Sequence, residues 1–271
     1  MSNFEIYCLC LQNELLNKVK KLNYTPVGLG NDEFSSEWLL DNTKLNISNK
    51  NKFYGEYTFH YWFWKNLLPK NKNKKWIGFC TYRRFWENYK NKSTKNVNFK
   101  NRILDSIPNE FEKYDVILGN KIDLSNLKFM KLIKYGKLAL LNNPMAIFRK
   151  GRNIKFQFDM FHGLGILEKA ISALDEKDRE DFREFIYKNN SYNQGNMFIC
   201  KSTDILENFY KTIFEWLSKC EEIFGFELYG YKNVRLYAFL AERFMPYWFN
   251  KYSKVIEWPI IFQDLRNINT L

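Results

Sequence analysis

The stretch from Trp76 to Trp86 reads WIGFCTYRRFW, an apolar run that ends in two adjacent arginines between aromatic rings. Its first five residues, short and rich in large apolar side chains, predict a buried strand of a parallel or mixed sheet. In open α/β sheets, ligands bind beyond the carboxyl ends of the strands. Arg83 and Arg84 would then face a ligand, and their guanidinium groups suit phosphate oxygens. On this stretch alone, a surface pair bridged to neighbouring carboxylates explains the arginines about as well.

Strand-like and helix-like segments alternate on either side of this stretch. Phe4–Leu11 predicts a first strand, Glu14–Leu22 a helix, and the residues ending at Gly30 a second strand. Aromatic residues then recur at helical spacing from Phe53 to Leu68, with Asn51 as a possible cap. The order of strand, helix and strand indicates an α/β fold with a mixed central sheet.

The second half of the chain predicts fewer strands and more helices. Tyr114–Leu118 and Met197–Cys200 have the composition of short buried strands, and Gly163–Glu184 and Val234–Trp248 that of helices. Between residues 121 and 155 the periodicity weakens. Long irregular segments are often binding loops, so we expect a mobile substrate loop there.

Composition limits the class of protein. The 271 residues include no Pro/Gly/Ser-rich linker, which predicts a single domain over residues 1–271 with a helical C-terminal part. Five cysteines, an odd number without disulfide spacing, predict reduced thiols in a cytoplasmic protein. No segment has the pattern of a signal peptide or a transmembrane helix, which also favours the cytoplasm.

The chain is basic, with a formal charge of +12 and a pI near 9.3, and this favours an anionic partner. Much of the excess lies in two Lys/Asn-rich runs, at 70–75 and 90–102. Such runs are most often solvated surface. Their functional interpretation is peripheral contact with the anionic inner face of the cytoplasmic membrane.

A set of short motifs follows in order along nearly the whole chain. They are Asp41-Asn42-Thr43, Asn46-Ile47-Ser48, Lys50-Asn51, Gly55-Glu56, Tyr61 to Asn66, Trp76 to Cys80, Tyr82-Arg83-Arg84, Tyr114 to Leu118, Phe161-His162-Gly163, Asn196 to Ile199, Arg235 and Ala241-Glu242-Arg243. In these motifs the chain resembles a bacterial glycosyltransferase family of capsular and exopolysaccharide gene clusters, long catalogued as a domain of unknown function. One position departs from the pattern, because the family usually has His where this chain has Thr81.

The resemblance implies a single GT-A-like (Rossmann-like) nucleotide-sugar domain. Residues 1–120 would form its nucleotide-binding half, and residues 121–271 its acceptor half with the C-terminal helices. It implies transfer of a sugar from a nucleotide-diphosphate donor, with UDP-galactose and UDP-galactofuranose as candidates, to a capsular, lipopolysaccharide or exopolysaccharide acceptor. The acceptor would be lipid-linked or a free oligosaccharide.

No cofactor is expected. Many GT-A enzymes bind the donor diphosphate through a divalent metal held by an Asp-x-Asp motif, and this sequence contains none. The predicted strand from Trp76 ends in Tyr-Arg-Arg instead. Fixed cations offset the charge of a leaving group without metal, which favours metal-independent transfer. No His/Cys/Asp cluster has zinc spacing either.

A sugar hydroxyl that attacks an anomeric carbon needs a base, and a carboxylate is the usual choice in inverting chemistry. Glu242 is the first candidate, because it lies two helical turns after Arg235 and shares its helix face. Asp159 and Asp115 are the next candidates. Arg235 would bind a donor phosphate on that same face. A simple Arg–Glu pair on a surface helix is the competing explanation.

The remaining candidates are ring and polar side chains. Tyr7 and Tyr82 offer rings that could stack on the base or sugar of the donor. Asn196 could bind a sugar hydroxyl or cap the turn before its strand. His162 is either an acceptor contact or a packed histidine, and the family match favours the acceptor contact. Glu56 is also assigned to the acceptor.

Two other classes of function stay open on the sequence. A nucleic-acid-binding module would account for the charge and the many aromatic residues, but the lysines lie in predicted loops without interleaved stacking motifs, so no nucleic-acid partner is expected. A noncatalytic glycan-binding subunit would account for Thr81.

Overall fold

The computed structural model describes residues 4–70, 76–88, 98–127 and 129–268. Their strands are β1 (Phe4–Cys10), β2 (Thr25–Gly28), β3 (Leu39–Leu40), β4 (Trp76–Thr81), β5 (Arg84–Trp86), β6 (Val116–Gly119), β7 (Lys121–Asp123), β8 (Ser191–Asn193), β9 (Phe198–Cys200), β10 (Val255–Trp258) and β11 (Ile260–Phe262). Nine of them form a mixed sheet in the order β10-β6-β9-β4-β1-β2-β3, in which β5 also pairs with β4 and β11 pairs with β5, and β7 and β8 form a separate two-stranded sheet.

Helices cover both faces of the large sheet. They are α1 (Leu16–Lys21), α2 (Asn51–Tyr54), α3 (Tyr57–Asn66), α4 (Phe99–Arg102), α5 (Phe129–Tyr135), α6 (Lys137–Asn142), α7 (Ile154–His162), α8 (Ile166–Ser172), α9 (Glu176–Lys188), α10 (Thr203–Phe224), α11 (Tyr231–Val234) and α12 (Leu236–Tyr252). The mixed α/β class predicted from the sequence is therefore confirmed.

The sheet separates two hydrophobic cores, and β4 shows why. Successive side chains of a strand point to opposite faces. Ile77 and Phe79 accordingly join one core, and Trp76 and Cys80 join the other. Because both faces are covered, the strand is apolar throughout, as the sequence predicted.

The strand directions bring several carboxyl ends to the same edge of the sheet. β1 pairs in parallel with β2 and β4, while β9 runs antiparallel to both β4 and β6. β6 therefore runs in the same direction as β4. The carboxyl ends of β1, β2 and β4 meet at one edge of the sheet, and Tyr82 and Arg83 follow directly after β4 at that edge.

Two predicted segments differ in the structure. The predicted helix from Phe53 to Leu68 is broken, because Gly55 has φ = 54° and ends α2 before α3 begins. The segment from 121 to 155 is not the irregular loop that weak periodicity predicted. It contains β7, α5, α6 and three short 3-10 helices, Leu124–Asn126, Pro144–Ile147 and Arg149–Gly151.

Other sequence predictions concern the chain as a whole. The central sheet draws β9, β10 and β11 from beyond residue 120, so it does not divide at that residue. All five cysteines are buried and unbridged. Among the described residues no helix is both long and apolar enough to span a bilayer. Of the Lys/Asn-rich runs at 70–75 and 90–102, residues 71–75 and 90–97 lie outside the described residues.

Candidate active site

Backbone hydrogen bonds hold the turn at Tyr82 and Arg83 on two sides. The Tyr82 backbone N–H donates to the Leu9 carbonyl at the end of β1 (3.1 Å). From the C-terminal segment, the backbone N–H of Gln263 donates to the Arg83 carbonyl and that of Leu265 to the Tyr82 carbonyl, both at 3.0 Å. The turn is therefore held between the first strand and the last residues of the sheet.

A pocket of about 680 Å³, including its solvent-facing mouth, opens beside this turn. The lining comes from strand ends, from α2 and from the residue before α12: Leu9, Leu11, Leu29, Asn51, Lys52, Gly55, Glu56, Thr81, Tyr82, Arg83, Arg84 and Arg235. The position where the resembling family has His, Thr81, thus lies in the pocket wall.

Cations dominate the charge of this lining. Lys52, Arg83, Arg84 and Arg235 face a single carboxylate, Glu56. Within the described residues, neither Arg83 nor Arg84 forms an ion pair with a carboxylate, so the surface-salt-bridge explanation of the pair does not describe this structure. The uncompensated charge makes the pocket suited to an anion such as a diphosphate.

Arg235 and Glu56 form the ion pair of the pocket, with Arg235 Nη2 2.9 Å from Glu56 Oε2. Both side chains are about one quarter exposed. Gly55 makes room for this pair, since a Cβ built on it would lie 2.3 Å from Arg235 Nη2. The family-derived acceptor residue Glu56 and the predicted donor residue Arg235 are thus in direct contact.

Glu242 is held by other partners. Its Oε1 accepts a hydrogen bond from the Gly195 backbone N–H (2.8 Å), and its Oε2 accepts one from Arg243 Nη1 (2.5 Å). Arg243 is buried and also donates to Gln157 Oε1 (2.9 Å). Glu242 therefore anchors the 193–196 turn to α12, and it does not pair with Arg235 as the shared helix face suggested.

The Glu242 network reaches the pocket through Gly195. A Cβ built on Gly195 would lie 3.5 Å from Arg84 Nη1. The next residue, Asn196, has φ = 50°, which is unusual for a residue with a side chain. Its amide donates to the Ala238 carbonyl (3.4 Å), and its Oδ1 is buried without a hydrogen-bond partner among the described residues. Asn196 thus joins the turn to α12, and its amide oxygen is shielded from a ligand.

His162 and Asp159 lie on α7, which packs near α12. The His162 ring stacks on Phe239 with centroids 4.0 Å apart. Asp159 forms an ion pair with Lys155 and accepts a hydrogen bond from the Gly165 backbone N–H (3.3 Å). Burial raises the pKa of Asp159 above its ordinary value, although Lys155 opposes the shift. Asp159 is therefore tied to the connection between α7 and α8.

Three predicted site residues lie elsewhere or play another part. Asp115 precedes β6 and accepts a hydrogen bond from the Lys254 backbone N–H (2.9 Å). It is at the opposite edge of the sheet from the pocket, so a role as base does not fit. Tyr7 is 1% exposed and packs among the rings of the core, so it cannot stack on a donor. Tyr82 lines the pocket but is mostly buried, with Arg83 and Arg266 over its ring.

The pocket does not fit a divalent cation. A hard metal ion requires several oxygen ligands, usually with more than one carboxylate. Glu56 is the only carboxylate in the described lining and is paired with Arg235. Four fixed positive charges around it would repel an added cation.

Sequence reasoning missed two kinds of residue. Lys52 lies in the pocket, and its spacing of four residues from Glu56 on a predicted helix was the available signal. Gln157 and Tyr192 support Arg243, the first by a hydrogen bond and the second with its ring 4.9 Å from the guanidinium carbon. No local pattern marks these two, because their partner is remote in sequence.

The fold is shared with a solved enzyme. The structure titled "WbbM bifunctional glycosytransferase apo structure" superposes with a TM-score of 0.62 at 19% sequence identity. The match covers 97% of this chain and 45% of that one, so this chain spans less than half of that protein. The likeness shows a common GT-A-like α/β fold. No curated protein sequence matches the chain.

The family model described as "Domain of unknown function (DUF4422)" matches residues 6–254. This range includes the Tyr82-Arg83-Arg84 turn, Arg235 and the Glu242–Arg243 pair. The match extends over most of the 271 residues. The chain therefore belongs to the DUF4422 family.

Proposed function

We propose that the protein is a glycosyltransferase that uses a nucleotide-diphosphate sugar, with UDP-galactose and UDP-galactofuranose as first candidates. The acceptor would be a growing surface polysaccharide, lipid-linked or free, at the cytoplasmic face of the membrane. The observation that carries the proposal is the pocket at the carboxyl edge of a GT-A-like sheet, in which four cations face one carboxylate. Family membership and the fold shared with a glycosyltransferase support it.

Arg83 and Arg84 are the proposed diphosphate ligands. They line the pocket, lie at the end of β4 and have no carboxylate partner in the described part of the chain. Their charge would stabilise the nucleoside diphosphate that leaves when the glycosidic bond to the donor breaks. The same charge makes a metal unnecessary at this position, so we propose metal-independent transfer.

Glu56 is the proposed base. Its carboxylate lines the pocket, one oxygen accepts from Arg235, and the described residues show no second hydrogen bond to its side chain. Both oxygens of Glu242, by comparison, are already engaged by the protein. In the proposed step, the acceptor hydroxyl gives its proton to Glu56 as its oxygen bonds to the anomeric carbon.

Calorimetry with UDP and UDP-sugars in EDTA tests donor binding. Arg84→Ala and Arg83→Ala should weaken affinity, at least one of them by about 1.5–3 kcal/mol if it makes a charge-assisted phosphate contact. Arg183→Ala is the matched control, because Arg183 on α9 is paired with Glu168 and Glu180 and lies outside the pocket lining. Unchanged affinity in both pocket variants would refute the phosphate assignment. Binding that EDTA abolishes and manganese restores would refute metal independence.

Turnover separates an enzyme from a noncatalytic binder of the same donor. A thermal-shift screen identifies the donor first, because a ligand at about 100 times its Kd stabilises the folded state by roughly 2.7 kcal/mol. With that donor, Glu56→Gln should lower transfer or donor hydrolysis about 10²-fold or more at nearly constant donor affinity. A wild-type protein that binds the donor but never cleaves it would favour the glycan-binding alternative.

A further inference from the structure

Exposed apolar side chains are concentrated in one short segment. Among the described residues, 17 large apolar side chains are strongly exposed, and eight of them fall between residues 130 and 148. They are Met130, Ile133, Tyr135, Leu138, Leu141, Met145, Ile147 and Phe148. Leu138 and Leu141, at 69% and 79% exposure, lie three residues apart on one face of α6. A concentration of exposed apolar side chains in one segment favours an interaction site.

These side chains are not the remains of an unfilled core. The inward side of the segment already packs, with Leu132, Ala139 and Ala146 against Phe156 and Met160 of α7. Arg152 is buried and donates to four carbonyl oxygens, those of Ser125, Leu127, Ala146 and Ile147. The inward side of the segment is thus fixed by these contacts, and its outer face is exposed to solvent.

The charge of the segment has one sign. No Asp or Glu occurs from residue 124 to residue 158, although the chain holds 30 of them. Five exposed cations lie among the apolar side chains: Lys131, Lys134, Lys137, Arg149 and Lys150. Apolar side chains mixed with lysine and arginine are typical of elements that lie in the interface of an anionic bilayer. Protein–protein interfaces are instead depleted in lysine.

We propose that the outer face of residues 130–150, here called the apolar–basic patch, docks on an anionic lipid bilayer. Met130, Leu138, Leu141 and Phe148 enter the acyl boundary, and the cations meet lipid headgroups. The patch is continuous with α7, because Tyr135 and Phe161 rings lie 6.2 Å apart and Phe161 precedes His162. The proposal rests on the proposed function and deepens it. Docking would bring His162, which the family match assigns to the acceptor, toward the membrane surface where a lipid-linked acceptor is held.

Vesicle co-sedimentation tests the patch without needing catalysis, so its failure is distinguishable from failure of the transferase proposal. The intact chain should bind vesicles containing phosphatidylglycerol and bind pure phosphatidylcholine far more weakly. The Leu138→Ser/Leu141→Ser variant should lose about tenfold or more of its partition coefficient. Replacing Lys131, Lys134 and Lys137 by Gln should cost roughly fivefold per residue on the anionic vesicles.

The control is Leu45→Ser/Ile223→Ser, which removes two exposed apolar side chains outside the patch, at 57% and 47% exposure. It should bind vesicles like the parent chain. No vesicle binding, or equal binding by the patch and control variants, would overturn the proposal. So would a soluble dimer that the patch variant dissociates in sedimentation velocity, because a second copy would then cover the surface.

A direct probe of insertion guards against a folding defect in the variants. All five native cysteines are buried, so Leu141→Cys can be labelled selectively with an environment-sensitive fluorophore. Emission should shift to shorter wavelength on anionic vesicles and should be quenched by brominated lipid. A label at Ile223→Cys should show neither change. Equal behaviour of the two labels would contradict docking through the patch.

Discussion

The Glu242–Arg243 pair allows the sharpest test of what the Glu242 carboxylate on α12 does. Arg243 is 2% exposed at its side chain and Glu242 is 16% exposed. Glu242→Ala removes the acceptor of a buried guanidinium and leaves the Gly195 N–H without its partner. Breaking a buried ion pair from one side costs about 3–5 kcal/mol, and the partial exposure of Glu242 favours the lower end.

At about 3 kcal/mol, the midpoint of thermal unfolding should fall by roughly 6–12 °C, given about 2–4 °C per kcal/mol in a large domain. The double variant Glu242→Gln/Arg243→Met replaces the pair by neutral groups and should regain most of this loss, because no buried charge is left uncompensated. A calorimetric double-mutant cycle built from Glu242→Gln, Arg243→Met and the double variant measures the coupling.

Turnover on the same preparations decides between support and chemistry. If Glu242 acts by holding the 193–196 turn, Glu242→Gln keeps transfer per folded molecule within about threefold of the parent. An unchanged melting temperature with turnover lowered about 10²-fold or more would refute this reasoning and return Glu242 to the role of base.

Two further predictions rest on single residues. Gly55→Ala should lower the free energy of unfolding by about 1–2 kcal/mol because of its positive φ, and it should also weaken donor binding because the new Cβ displaces Arg235. The control Gly225→Ala, at φ = 59° with open space around it, should lose stability but keep its donor affinity. Equal donor affinity in both variants would exclude the steric argument. Burial lowers the pKa of His60 to about 3, so the unfolded chain takes up a proton near pH 6.5 that the folded chain does not. His60 should therefore lower the free energy of unfolding by about 2 kcal/mol between pH 7.5 and pH 5. Urea unfolding midpoints measured over this pH range should decrease less in His60→Gln than in the parent chain. An unchanged pH dependence in the variant would show that other groups cause the acid sensitivity.

Parts of the fold that follow from local pattern were predictable. β1 and β4 are short and apolar except for Glu5 and Thr81, as doubly covered strands mostly are, and α12 has a long apolar stripe. The break at Gly55 was missed because aromatic spacing continues across it, while the cause of the break, the approach of Arg235, is 180 residues away in sequence. α5 and α6 were missed because several of their apolar residues face outward.

The site was predictable where a residue directly follows a strand. Arg83 and Arg84 lie in the pocket because they follow β4 at its carboxyl end. Asp115 was misplaced because it precedes its strand, and strand composition does not reveal which end faces the ligand edge. The engagement of Glu242 with Gly195 could not be read either, since 47 residues separate the two along the chain.

The conformation of the Tyr82-Arg83 turn depends on the segment after residue 254. The family match ends at residue 254, yet β10 and β11 follow it, and Gln263 and Leu265 donate to the carbonyls of Arg83 and Tyr82. A protein shortened to the matched range would keep every pocket-lining side chain and lose the backbone partners that orient two of them. Under the proposed function, binding of a donor phosphate would depend on the order of the final strands, which lie beyond the end of the family match.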